Sequence, residues 1–163
     1  NASGWVLEAG SALSGNDNTD ADPEVLVAIG ELSTSIGAAD ITEVEMVTTT
    51  ADKSEGFTIS VRVRYNEPVD VVTTGGTPTL AVTNGNEGTG TGRGPHTLSY
   101  ASGTGTNELI FSLAIAAANA ATNADDVLTV GAQTIALNSG TIKDASGTAS
   151  DAALVISLSL IHI

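Results

Sequence analysis

The chain contains no cysteine, which removes disulfide staples, thiolate catalysis and cysteine-ligated zinc from the outset. Cations are nearly as scarce: five Lys and Arg stand against nineteen Asp and Glu, a formal charge of -14. Such a surface repels polyphosphate backbones and anionic bilayers, so no nucleic-acid partner is expected. Two histidines leave little imidazole for acid–base work, and His96 and His162 read as surface or edge residues. Aromatics are 3% of the chain, a poor supply of platforms for sugar faces. No apolar run approaches the roughly 18 residues of a membrane span, so no membrane insertion is expected. The opening NASGWVLEAG lacks the basic start and apolar middle of a signal peptide, and an Asn in first place suggests a processed or incompletely defined start. The G-x-S-x-G elbow, the P-loop, the dinucleotide fingerprint and H-E-x-x-H are all missing, so the expectation is a non-enzymatic protein with no catalytic residues.

What the chain does contain is 41% hydrophobic residues and 18 glycines in 163 positions, the material of one compact domain plus an arm. Texture changes near Asp40. Residues 1–40 read as an N-terminal arm: Trp5, an acidic turn-rich stretch, then an apolar run. Asp22, Pro23 and Glu24 line up as N-cap, first-turn proline and acidic residue at the positive end of a helix dipole. Val25, Leu26, Ile29, Leu32 and Ile36 follow at mostly helical spacing, which predicts a short helix, with a buried strand as the alternative for so short a run.

Beyond Ile41 the period switches to two. Phe57, Ile59, Val61, Val63 and Tyr65 alternate with Thr58, Ser60, Arg62 and Arg64, a half-buried strand with one wet face. Residues 109–115 and 154–160 repeat the pattern, and shorter candidates lie at 44–48, 69–72, 79–82, 97–100, 127–130 and 134–137. Between them stand glycine-bearing turn signals, among them Gly75-Gly76, Ser102-Gly103 and Asn138-Ser139-Gly140, expected to allow positive φ at hairpin corners. Glu67-Pro68 is expected to end the long strand, since proline cannot donate to a ladder. The whole predicts an all-β antiparallel sandwich over residues 41–163, carrying the arm of residues 1–40. The apolar tail ALVISLSLIHI is expected to be the last strand of the sandwich or to pair with a neighbouring subunit.

Four strings carry a likeness: YNEPVDV, GGTPTLAV, LSYASGTGTNELIFSLAI and IALNSGTIKDASGTA. In that order they resemble the bacterial immunoglobulin-like (Big-type) repeats of large secreted adhesins and of tailed-phage structural proteins. The resemblance covers residues 41 to about 152. It implies a carrier or spacer module on which sites are grafted.

Candidate sites follow. The stretch NGNEGTGTGRGP is too rich in glycine to pack a core, so Gly85, Asn86, Glu87 and Arg93 are expected on an exposed loop. Asp17, Asp20, Asp22 and Glu24 are the candidate ligands for calcium, the one cofactor with a case, although Val25 and the apolar VLVAI rule out an EF-hand. A second acidic group, Asp40, Glu67, Asp70 and Asp144, could meet at one end of a sandwich. Lys53 and Lys143 sit in the polar contexts DKSE and IKDASG, which favour surface lysines over a buried isopeptide cross-link. Trp5, Val25, Leu26, Ile29 and Leu32 are the expected assembly contacts. The function these features suggest is a structural protein of an extracellular assembly that is oligomeric in place and held to neighbouring subunits. An exterior virion component, a capsid decoration protein of a tailed phage, comes first. The alternative is a cell-surface adhesin repeat or filament subunit, stabilised by calcium.

Overall fold

The computed structural model describes residues 3–7, 19, 24–29, 37–84, 95–119, 122, 126–145, 150–157 and 161–162. The chain divides into two compact units, Asn1–Gly37 and Ala38–Ile163. In the first, β1 (Ser3–Leu7) pairs antiparallel with β2 (Glu24–Ile29), Trp5 opposite Val27, with an irregularity between Trp5 and Val6. The first part of the expected helix is therefore a strand. Val25, Leu26 and Ile29 belong to β2, while Leu32 and Ile36 lie outside the described residues. The physical reason is that EVLVAI carries five apolar residues in succession, which suits a strand apolar on both faces, and it finds a partner some twenty residues earlier.

The second unit is an antiparallel β-sandwich, and no helix occurs among the described residues. Its organiser is β4 (Phe57–Val72), flanked on one edge by β7 (Thr106–Ile115). On the other edge β4 carries two partners in succession: β3 (Ile41–Met46) beside residues 61–65 and β10 (Thr141–Asp144) beside residues 69–72. From β7 the sheet continues through β6 (His96–Ser102), β5 (Thr79–Asn84), β8 (Leu128–Val130) and β12 (Ile161–His162). Because β3 lies against β12 and β11 (Val155–Ile156), the sheet curls until it nearly closes. The tail thus pairs within the chain, β12 with β8 and β11 with β9 (Gln133–Thr134).

Period-two alternation along β4 sends Ile59, Val61, Val63, Tyr65 and Val69 inward to meet Leu109, Phe111, Leu80, Leu98, Ile135 and Ile142, all at most 1% exposed. Each such side chain contributes about 1.5–3 kcal/mol by leaving water. The outward face is an ion-pair ladder across three strands. Arg62 pairs with Glu45 and Glu108, and Arg64 reaches Glu43 at 2.5 Å and Glu108 at 2.7 Å. These carboxylates stand opposite or beside their arginines in strand register, so the pairs form without distorting the sheet.

Two expectations are corrected. Pro68 does not end β4. It sits where the pairing with β7 slips between Arg64 and Val69, so no donor is required of it there, and its carbonyl still accepts from Ala145 N–H at 3.0 Å. Gly75 and Gly76 do not supply positive φ either, since that conformation falls on Asn138 (φ 50) and Ser139 (φ 70). The glycines instead let two turns touch, for a Cβ on Gly76 would lie 1.7 Å from the Asn138 carbonyl oxygen. At the Gly103 turn the expectation holds, with φ +116.

One side chain completes a ladder that the backbone leaves open. β5 pairs with β8 only at Thr83 and Asn84 and bridges to Ala136 only at Thr79. Between these, Gln133 lays its amide against Ala81: the Ala81 N–H donates to Gln133 Oε1 at 2.8 Å and Gln133 Nε2 donates to the Ala81 carbonyl at 2.8 Å. The side-chain amide stands in for a strand residue.

Candidate binding end of the sandwich

The end of β5, the starts of β6 and β4 and the loop before β8 meet at one end of the sandwich. The sequence from Asn84 to His96 is the glycine-rich stretch, and these two residues are its roots. Gly85, Asn86, Glu87 and Arg93, the expected loop residues, lie outside the described residues.

Beside the roots is a cavity of about 210 Å³. Its apolar wall comes from Met46, Phe57, Ile59 and Leu128, and its polar rim from Thr48, Lys53, Thr122 and Asp126. Thr48 is held on β4, donating to the Thr58 carbonyl and accepting from Ser60 N–H. Lys53 caps the carbonyls of Ala116 and Ala117 just past β7, so its ammonium serves that turn. Behind Thr122 lies His96, whose Nε2 is 2.6 Å from Thr122 Oγ1 and 3.5 Å from Asn84 Nδ2. All three residues are buried.

His96 is therefore not the surface residue expected from its isolation, being only 5% exposed. A signal was present: His96, Leu98 and Tyr100 alternate with Thr97 and Ser99, which places the imidazole on the core face with Leu98. Burial lowers its pKa, and the negative charge of Asp126 opposes that shift in part. Nothing in the sequence marks Thr122 as its partner.

Of the two acidic groups, Asp17, Asp20 and Asp22 lie outside the described residues and Glu24 is the first residue of β2. The second group is brought together in part. Glu67 on β4 and Asp144 on β10 both turn inward, at 7% and 2% exposure, and Asp40 is close enough to act on Glu67 by its charge. Glu67 Oε1 is buried without a hydrogen-bond partner, and its carboxyl is held above the ordinary range by burial first and by the charges of Asp144 and Asp40 after it. Asp70 faces outward and meets Thr104. Among the described residues no group of three or more His, Asp or Glu is arranged to hold a metal ion.

Neither lysine is buried beside a carboxylate. Lys143 pairs with Asp151 at 3.5 Å on an exposed edge, and Lys53 has the carbonyl partners given above. Of the expected assembly contacts, Trp5, Val25, Leu26 and Ile29 come together in the two-stranded sheet of the first unit, and Leu32 lies outside the described residues. No family model matches the chain, and neither a curated protein nor a solved structure matches it.

Proposed function

We propose that the chain is a non-enzymatic structural subunit of an extracellular assembly, an exterior virion component such as a capsid decoration protein of a tailed phage. In this reading the second unit is a Big-type immunoglobulin-like module, and the first unit fastens it to neighbouring subunits. The observation that carries the reading is that β1 and β2 pair with each other within the compact unit Asn1–Gly37. Among the described residues the first unit holds these two strands, a sheet of a size that is marginally stable in water by itself, and GWVL and EVLVAI are both strongly apolar. Such an element gains its stability by docking on a partner. The ion-pair ladder on β3, β4 and β7 gives the module a wet outer face suited to an exterior position.

The test is density-gradient fractionation of the native source, following the chain by mass spectrometry against nuclease-protected DNA. Banding in high copy with packaged DNA supports the virion reading. Recovery with envelope material or free fibres overturns it in favour of a cell-surface module.

A further inference from the structure

We propose that His96 is a pH-sensitive latch at the loop end of the sandwich: its neutral imidazole ties the end of β5 and the loop residue Thr122 to the start of β6, and protonation releases them.

Asn84 presents an amide nitrogen, which can only donate, to His96 Nε2 at 3.5 Å, and Thr122 Oγ1 is 2.6 Å from the same atom. Both contacts are satisfied when Nε2 is the unprotonated nitrogen and Nδ1 carries the hydrogen. A proton on Nε2 makes it a donor facing the donors of Asn84, forces the Thr122 hydroxyl to turn round, and leaves a cation among three buried residues.

Charges around the imidazole do not offset this. Among the described residues, Asp126, from the loop before β8, is the carboxylate whose charge acts on it, and burial outweighs its effect. Lys53, on the same cavity rim, is a cation. β5 and β8 hold no ionisable residue, and β6 adds only Tyr100, whose hydroxyl accepts from Thr104 N–H at the other end of the strand. On the adjoining strands Glu45 and Arg62 pair with each other on the outer face. Glu87, Arg93 and Asp125 in the flanking loops lie outside the described residues.

The latch sits where it reaches two features together. Asn84 and His96 are the roots of the glycine-rich stretch, while Thr122 and Asp126 line the cavity. Acidification therefore loosens the loop root and the cavity wall in one step, and neutral pH holds both in place.

The experiment is a pH titration of the full chain by NMR from pH 8 to pH 5, with His162→Gln leaving a single histidine. The expected result is an Nδ1–H tautomer at neutral pH, a titration midpoint below the ordinary 6.5, and amide shifts at Asn84, Thr122 and Leu128 that follow the same midpoint. His96→Gln, which keeps an acceptor but no titrating group, should abolish those shifts. An Nε2–H tautomer, a midpoint at or above 6.5, or Thr122 and Leu128 amides that stay still through the titration would each overturn the proposal. The titration of the chain with native His96 decides the matter even where the His96 variant does not fold.

Discussion

Replacing Gln133 by alanine tests whether a single side chain does the work of a strand. The change removes two hydrogen bonds of 2.8 Å and leaves the N–H and the carbonyl of Ala81 without partners in the middle of β5. An orphaned buried backbone group costs about 1–3 kcal/mol. Ala81 is half-buried, so water recovers part of that, and the expected loss is about 2 kcal/mol for the pair. For a sandwich of this size that lowers Tm by roughly 6–10 °C. Glutamate at the same position separates the two bonds. Its carboxylate still accepts from Ala81 N–H but sets a negative oxygen against the Ala81 carbonyl, so Gln133→Glu should be no more stable than Gln133→Ala at neutral pH. Urea unfolding at fixed pH reads both variants. If Gln133→Ala unfolds within about 0.5 kcal/mol of the native chain, or if Gln133→Glu matches the native chain, the amide is not completing the ladder.

Other consequences concern charge and space. Glu67 has a raised pKa in the folded state, so the fold binds its proton more tightly than the unfolded chain does. The stability this gives is complete below the ordinary 4.5 and is lost as pH rises through the folded-state value. Glu67→Gln should therefore be more stable than the native chain at pH 7 and should flatten the decline from pH 4.5 upward, read by urea unfolding across that range; a Glu67→Gln chain weaker at pH 7 would contradict this. Gly76→Ala drives a Cβ into the Asn138 carbonyl and should cost about 3 kcal/mol or prevent folding. Gly131→Ala, where a Cβ meets nothing within 4 Å, should stay within about 1 kcal/mol of native. Thermal unfolding of the pair checks the contrast, and equal losses would mean the two turns do not touch.

Local patterns in the sequence specify the strands well where one face is wet. The alternation from Phe57 to Tyr65 announces β4 because each outward position is Thr, Ser or Arg, and that face then builds the ion-pair ladder. Patterns fail where pairing over a distance overrules a local signal. Asp22-Pro23-Glu24 reads as a helix start, yet the residues that follow pair with Ser3–Leu7, a contact no capping rule can sense. Pro68 reads as a strand end because its missing N–H is visible in the sequence, whereas the slip in register that makes the N–H unnecessary is not. At the loop end, the strand period places His96 inside, but a lone histidine next to a proline invites a surface assignment. Thr122 and Gln133 are illegible for a simpler reason. Each acts through one side-chain contact to an element far along the chain, and nothing nearby in the sequence records it.

In the proposed function the first unit fastens the chain to its neighbours. The most direct measurement is co-sedimentation of two forms with the native assembly: the whole chain, and a chain lacking Asn1–Gly37 whose sandwich is first checked for cooperative unfolding. The shortened chain is expected to keep a folded sandwich and to stay in the supernatant while the whole chain sediments. A folded, shortened chain that sediments as fully as the whole one would contradict the proposed function.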